Sequence, residues 1–270
     1  MYHIVASDLD GTLLSPEYFL TTRTKEVIRL LVSKGIHFVI ATGRHYNEAI
    51  EIKKMLNTST FLITSNGARI HNPNNELIYS CDIDNEIIKI ILKKYLLDKD
   101  ILVQVYSHNN WYVNQSNCKI LPSYSSFFFK KKILKLKHIS NKNISKVLFI
   151  CEDTNKLLFI KKSIIEYWGK YVNASFSFPT CLEVMSKIVS KGNALKLVAN
   201  LLGFSLQDCI SFGDGMNDKE MLDMSGKGCI MLNSHYVLKN CLPNLEIIGS
   251  NKNDSVAEYL NNIYCKNNFY

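Results

Sequence analysis

Residues 4–12 of the chain read IVASDLDGT, and this stretch decides the fold. Three apolar residues predict a short strand, and a polar turn that contains Asp8 and Asp10 follows at once. A helix is predicted next at about residues 24–34, because its apolar residues fall on one helical face, and a second strand at residues 37–41. Strands that alternate with helices at this spacing predict a doubly wound, parallel α/β sheet.

The same alternation returns near the C-terminus, whereas the middle of the chain differs. A helical pattern after Gly192 precedes a strand at residues 210–212 and a second polar turn at residues 213–218. Between these halves, two successive helix-strand-strand patterns predict a separate α+β domain. The sequence therefore predicts a Rossmann-like core domain formed by residues 1–82 and 188–270, with an α+β domain inserted at residues 83–187.

Composition excludes several classes of protein. The 270 residues are 47% hydrophobic, which is too high for a disordered chain. The longest apolar runs fall far short of the roughly 18 residues of a spanning helix, and the first residues lack the basic region of a secretory signal. We therefore expect a cytoplasmic protein with no membrane partner. Its eight cysteines include no C-x-x-C pair, which predicts free thiols.

Three predicted strands end in polar turns, at residues 8–12, 42–44 and 213–218. In an open α/β sheet, ligands bind in the crevice outside the carboxyl ends of the strands, so side chains from these turns should converge there. Several carboxylates in one cleft repel one another unless a cation is present, and hard oxygen ligands suit Mg²⁺. The residues expected to converge are Asp8, Asp10, Thr42, Lys191, Asp214, Asn217 and Asp218.

The three polar turns, together with Lys191, resemble the four motifs of the haloacid dehalogenase (HAD) superfamily. Residues 8–14 (DLDGTLL) resemble motif I, residues 42–44 (TGR) motif II, Lys191 motif III, and residues 213–218 (GDGMND) motif IV of the Cof-type branch. The resemblance implies a HAD core with the large inserted cap domain of that branch. Residues 8–16, 63–69, 180–185 and 226–231 are similar to an enterobacterial member of the branch that is described as a pyridoxal phosphate and sugar-phosphate phosphatase.

The residue types indicate a reaction. Asp8 can attack phosphorus in line and form an aspartyl-phosphate, and Asp10 can protonate the leaving oxygen and then activate water. Mg²⁺ would be held by Asp8, by Asp214 and, as the resemblance implies, by the backbone carbonyl of Asp10. Asp218 is expected to support the metal through water or to orient Lys191. The groups expected to bind the phosphate oxygens are Thr42, Lys191, Asn217 and the N–H groups of Leu9 and Gly43.

We therefore expect Mg²⁺-dependent hydrolysis of small phosphate monoesters, with pyridoxal phosphate or sugar phosphates as substrates. A phosphomutase on the same fold remains an alternative. A binding protein for RNA or a membrane surface is another, since the net charge is +8 and residues 127–137 (FFFKKKILKLK) are basic and apolar. The plainer interpretation of that segment is a cap-domain helix, so no nucleic-acid partner is expected. A degraded enzyme is disfavoured by the full set of motif residues, and the oligomeric state stays open.

Overall fold

A computed structural model describes residues 1–107, 110–115, 131–135 and 143–264 of the chain. The strands are β1 Ile4–Ser7, β2 His37–Ala41, β3 Thr60–Thr64, β4 Arg69–His71, β5 Leu77–Ser80, β6 Leu102–Ser107, β7 Asn110–Val113, β8 Lys131–Ile133, β9 Ile144–Ile150, β10 Val172–Phe178, β11 Cys181–Ser186, β12 Cys209–Gly213, β13 Lys227–Met231 and β14 Glu246–Ile248. The helices are α1 Thr22–Ser33, α2 Tyr46–Leu56, α3 Asn85–Tyr95, α4 Thr154–Trp168, α5 Lys191–Leu201, α6 Lys219–Met224, α7 Tyr236–Cys241 and α8 Ser255–Tyr264.

The chain divides into two compact units, of which the first combines Met1–Tyr79 with Ser190–Tyr270. Its sheet has the strand order β14-β13-β12-β1-β2-β3-β4-β5. The strands from β14 to β3 pair in parallel, which confirms the predicted α/β fold. β1 lies between β2 and β12, so the two segments of the chain meet at the centre of the sheet.

Both faces of the central strands are covered by helices. Ile4 and Ala6 of β1 belong to an apolar cluster that contains Leu195 of α5. Val5, between them, belongs to a second cluster that contains Ile28 of α1 and residues of α8. Because successive side chains of a strand point to opposite faces, this division is what a doubly wound sheet requires.

The second unit, Ser80–Val189, is an α+β unit with a sheet of its own. The strand order is β10-β11-β9-β6-β7-β8, and the strands pair antiparallel except for β7 with β8. Asp84 caps α3 by accepting from the N–H groups of Glu86 and Ile87. α3 and α4 bury their apolar faces in one cluster with β6, β9 and β11.

Two features of the sheets differ from the prediction. After β3 the sheet continues with β4, which pairs antiparallel with β3, and then β5, and neither strand has a counterpart in the predicted elements. The helix predicted for residues 127–137 is wrong at Lys131–Ile133, which form strand β8. Residues 127–130 and 136–137 lie outside the described residues. β8 extends the sheet by pairing in parallel with Trp111–Val113 of β7, and backbone pairing at this edge outweighs the helical pattern of the side chains.

No helix in the described ranges is long and apolar enough to cross a membrane. The six cysteines in these ranges are free, as expected, and Cys118 and Cys265 lie outside them.

His71 of β4 is a buried histidine whose surroundings oppose its charge. Its side chain is 7% exposed and stacks on the ring of Tyr46 at a centroid distance of 4.0 Å. Among the described residues, no group hydrogen-bonds to its Nδ1. Burial, together with the positive charges of Lys53 and Arg69, lowers the pKa of His71 to about 4. The folded protein therefore holds this imidazole neutral at pH values where an exposed histidine takes up a proton.

We expect the free energy of unfolding to fall as the pH drops from about 6.5 to about 4, because His71 stays neutral in the folded protein. Above pH 6.5, His71 should not make the free energy of unfolding depend on pH. In this window the unfolded chain binds a proton on His71 and the folded chain does not, a cost on the order of 3 kcal/mol once complete. His71→Phe keeps the ring beside Tyr46 but cannot bind a proton. Urea unfolding at pH 7 and pH 4.5 should show a smaller loss of stability for the variant, and equal losses in both proteins would contradict this expectation.

Candidate active site

Asp8 and Asp214 follow two neighbouring parallel strands at the same edge of the first unit's sheet. β1 ends at Ser7, directly opposite Phe212 of β12, and Asp214 comes just after β12 ends. The N–H of Asp8 donates to the carbonyl of Phe212 at 3.0 Å, which ties the turn to the neighbouring strand. The two carboxylates thus lie where open α/β sheets bind their ligands.

The turn after β1 approaches the Asp214 carboxylate closely. Gly11 has a φ of +74°, and a Cβ atom on it would lie 2.3 Å from Oδ2 of Asp214. Glycine is the residue that tolerates both the conformation and the approach. The Oγ1 hydroxyl of the next residue, Thr12, donates to Oδ1 of Asp214 at 2.9 Å. The turn therefore binds Oδ1 of Asp214 through Thr12 and leaves room for Oδ2 beside Gly11.

Asp8, Asp214 and Asp218 form a tight cluster of carboxylates. One oxygen of each lies within 4.8 Å of the others, and Asp8 and Asp218 are buried. Burial raises the pKa of Asp8 well above its usual range despite the opposing charge of Lys191, and the neighbouring carboxylates add to the rise. Burial and the charge of Asp218 also raise the pKa of Asp214 to about 6. Hard oxygen donors in a cluster with this excess of negative charge fit a divalent cation such as Mg²⁺.

Lys191 is a fully buried lysine that bridges two of these carboxylates. Its Nζ lies 2.6 Å from Oδ1 of Asp8 and 2.6 Å from Oδ1 of Asp218. Lys191 is also the first residue of α5, where the helix dipole disfavours a further positive charge. Burial lowers the pKa of Lys191, but the two carboxylates outweigh burial and raise it above its usual value. The side chain is therefore an ammonium group shared by Asp8 and Asp218.

Asp218 braces the turn that carries Asp214. Its Oδ1 accepts from Lys191, and its Oδ2 accepts from the N–H groups of Asp214 at 3.0 Å and Gly215 at 2.9 Å. Both oxygens are thus engaged by donors of the protein itself. This arrangement favours an orienting role for Asp218 over direct binding of a metal.

The turn at residues 42–44 is tied to the turn that follows β3. The N–H of Asn66 donates to the carbonyl of Thr42 at 3.0 Å, and the N–H of Ser65 donates to the carbonyl of Arg44 at 2.9 Å. Ser65 and Asn66 have φ values of +49° and +56°, which are uncommon outside glycine. These two residues turn the chain back toward residues 42–44, and the paired turns support each other.

Asp10 lies apart from the carboxylate cluster and binds Arg44. Nε of Arg44 donates to Oδ2 of Asp10 at 2.8 Å, and Nη2 donates to Oδ1, so the ion pair is bidentate. The Asp10 side chain is 36% exposed, compared with 8% for Asp8. The Asp10 carboxylate is therefore fixed by a charged partner but remains open to solvent.

The side chain of Asn66 lies next to two further predicted site residues, Asn217 and Gly43. Nδ2 of Asn217 donates to Oδ1 of Asn66 at 3.0 Å, and a Cβ atom on Gly43 would lie 2.8 Å from the same oxygen. Leu9 is buried in the turn after β1, and its carbonyl accepts from the N–H of Leu14. Apart from Lys191, which begins α5, the predicted site residues thus come from turns that are joined to one another at one edge of the sheet.

Sequence reasoning missed two residues that hold this arrangement together. Thr12 lies inside the first predicted turn, but its contact with Asp214 spans the whole inserted unit. Asn66 precedes Gly67, and an Asn-Gly pair predicts a turn without indicating what the amide binds. Both roles depend on tertiary contacts that spacing along the chain does not reveal.

The sequence also matches a known protein family. Residues 5–260 match the family model described as haloacid dehalogenase-like hydrolase. The chain belongs to the haloacid dehalogenase-like hydrolases. The family predicted from the three polar turns and Lys191 is therefore confirmed.

Curated relatives of this HAD-like hydrolase are named as phosphatases, and they match it over nearly their full length. A Buchnera aphidicola protein (subsp. Baizongia pistaciae) named "Putative phosphatase" is 66% identical, with 98% of this chain and 100% of the relative covered. An HMP-PP phosphatase of Cronobacter sakazakii is 33% identical, with 96% and 95% covered.

Solved structures confirm the fold of the HAD-like hydrolase. A haloacid dehalogenase-like hydrolase from Bacteroides thetaiotaomicron matches with a TM-score of 0.85 at 23% identity, covering 98% of this chain and 100% of that one. The HAD subclass IIB sugar phosphatase BT4131 matches with a TM-score of 0.79 at 21% identity, covering 96% and 98%. At these identities the matches support the fold alone.

Proposed function

We propose that this HAD-like hydrolase is a Mg²⁺-dependent phosphatase of small phosphorylated metabolites, with Asp8 as the nucleophile. The observation that carries this proposal is the buried Asp8 carboxylate, which lies 2.6 Å from the Lys191 ammonium and clusters with the Asp214 carboxylate at the ligand-binding edge of the sheet. The names of the curated relatives support the same class of reaction.

Asp8 would act by covalent catalysis. A carboxylate oxygen of Asp8 forms a bond to phosphorus while the bond from phosphorus to the ester oxygen breaks, which leaves an aspartyl-phosphate. Lys191, 2.6 Å from Asp8, orients the carboxylate and offsets the charge of the incoming phosphate. Asp10 would give a proton to the leaving oxygen and later take one from the water that hydrolyses the aspartyl-phosphate.

The carboxylate cluster would hold the metal. We propose Asp8, Asp214 and the backbone carbonyl of Asp10 as its protein ligands, because the oxygens of Asp218 are occupied by Lys191 and two N–H groups. Bound Mg²⁺ would neutralise the phosphoryl oxygens and so lower the repulsion that a negatively charged nucleophile meets. Thr12 and Gly11 place the Asp214 carboxylate for this role.

The phosphate oxygens would meet donors from the paired turns. Oγ1 of Thr42 accepts from the N–H of Arg44 at 3.1 Å, which leaves its own hydrogen available to donate to phosphate. We propose that Lys191, Asn217 and the N–H groups of Leu9 and Gly43 complete the set. Donors that are fixed before the substrate arrives stabilise the transition state more effectively than donors that must reorient.

We propose pyridoxal phosphate, sugar phosphates and HMP-PP as the candidate substrates. The first two follow from the sequence resemblance, and the third follows from the name of relatives that are 33% identical over nearly the whole chain. We also propose that the second unit is the inserted cap domain of the family and that the protein acts in the cytoplasm.

Phosphate release from a panel of substrates tests this function. The panel contains pyridoxal phosphate, hexose phosphates, HMP-PP and an aryl phosphate, each with Mg²⁺ and with a chelator. We expect turnover with Mg²⁺, loss of turnover with the chelator, and recovery when Mg²⁺ is restored in excess. Interconversion of sugar-phosphate isomers without free phosphate, dependent on a bisphosphate activator, would show a phosphomutase instead and contradict the proposal.

A further inference from the structure

We propose that Arg44 is a positioning residue for Asp10, and that its main effect is on the hydrolysis of the aspartyl-phosphate. The inference rests on the phosphatase function proposed above and extends it to a residue outside the catalytic groups. Two contacts carry it, from Nε of Arg44 to Oδ2 of Asp10 and from Nη2 to Oδ1.

Arg44 is itself firmly held. Its N–H donates to Oγ1 of Thr42 at 3.1 Å, and its carbonyl accepts from the N–H of Ser65 at 2.9 Å. Its side chain is only 12% exposed. The guanidinium group therefore starts from a backbone that two turns support, and it can transmit a fixed orientation to its partner.

Asp10, in contrast to Arg44, has a side chain that is partly exposed to solvent. It lies on the turn after β1, and its side chain is 36% exposed, so without a partner the carboxylate would sample several rotamers. A planar guanidinium that binds both oxygens fixes the plane of the carboxylate, which a single point charge cannot do. Orientation of this kind lowers the entropy cost of placing a catalytic group against its target.

Hydrolysis of the aspartyl-phosphate depends most strongly on this orientation. In that step the oxygen of water forms a bond to phosphorus, the bond from phosphorus to the Asp8 oxygen breaks, and Asp10 accepts the proton that water loses. Formation of the aspartyl-phosphate from an aryl phosphate needs little help from Asp10, because a phenolate with electron-withdrawing groups leaves without being protonated. Loss of Arg44 should therefore slow the second step and spare the first, so that phosphorylated enzyme accumulates.

The test is rapid-mixing kinetics with nitrophenyl phosphate and saturating Mg²⁺. Arg44→Gln removes the bidentate contact, Asp10→Asn supplies the reference behaviour, and Arg23→Gln on the exposed surface is the matched control. We expect Arg44→Gln and Asp10→Asn to release a burst of nitrophenol approaching one equivalent per enzyme, followed by turnover slowed by about 10²-fold. Arg23→Gln should behave like the wild type, with no burst.

Three results would overturn the proposal: an unchanged rate in Arg44→Gln, a slowed rate without a burst, or a raised KM as its sole effect. If Arg44→Gln does not fold, Arg44→Lys provides the same test, since it keeps the charge but binds one oxygen at a time. Absence of turnover in the wild type would instead refute the phosphatase function, so the two failures are distinguishable.

Discussion

Asp8→Asn is expected to lower the rate of phosphate release by at least about 10⁴-fold, because an amide cannot form the aspartyl-phosphate. The same substitution should not weaken the fold. Burial and the negative charges of Asp214 and Asp218 raise the pKa of Asp8 despite the opposing charge of Lys191, so a neutral amide relieves repulsion while Lys191 keeps Asp218 as its partner. In the presence of a chelator, we expect the melting temperature of the variant to equal or exceed that of the wild type. Phosphate release and thermal unfolding, measured on one preparation, check both parts.

Asp223→Asn is the matched control for this experiment, since Asp223 lies exposed on α6 and has no place in the proposed site. It should retain wild-type turnover. Turnover in Asp8→Asn within tenfold of the wild type would remove Asp8 as nucleophile. A large drop in its melting temperature would show that the carboxylate serves the fold rather than the reaction.

Lys191→Met is expected to cause the largest loss of stability of any substitution in the site, about 3–5 kcal/mol in the free energy of unfolding. Asp8 and Asp218 are buried, and both lie 2.6 Å from the ammonium that this variant removes. Methionine fills a similar volume, so the effect reports the unpaired charges rather than a cavity. Phosphate release should disappear as well. Urea unfolding with a chelator present measures the stability change without a contribution from bound metal.

The double variant Lys191→Met/Asp218→Asn separates charge from packing. If unpaired charge causes the loss, neutralising Asp218 should restore part of the stability that the single variant loses, while phosphate release stays absent. A double variant no more stable than Lys191→Met would contradict this electrostatic explanation and indicate that the lysine stem supports the fold through its packing.

Sequence periodicity predicted the central part of the first unit's sheet well, because its strands are buried on both faces and its helices are amphipathic. β2 was placed at residues 37–41, as observed. Short strands at or next to the sheet edges were harder to predict. β4 has three residues, and β8 consists of two lysines and an isoleucine, so neither carries an apolar pattern of its own. Such strands form because a neighbouring strand offers backbone partners, and this information lies elsewhere in the chain.

The sequence predicted those residues of the candidate site that come directly after the end of a strand. Asp8 and Asp214 come directly after β1 and β12, and the rule that ligands bind at the carboxyl ends of strands brings them together. The partners of these residues were not predictable in the same way. The Asp10–Arg44 ion pair and the Asn66–Asn217 hydrogen bond depend on side-chain directions in turns, which no periodic pattern describes.

The position of β1 between β2 and β12 also determines when the site can form during protein synthesis. In the folded protein Ile4 pairs with His37, which is synthesised early, and with Cys209, which is synthesised much later. At roughly 5–20 residues per second, one edge of β1 stays unpaired for roughly ten seconds or longer. During that time β1, whose four residues are buried in the folded protein, lacks its β12 partner. The carboxylate cluster needs Asp214 and Asp218 as well as Asp8, so a nascent chain that ends before Asp218 cannot assemble it.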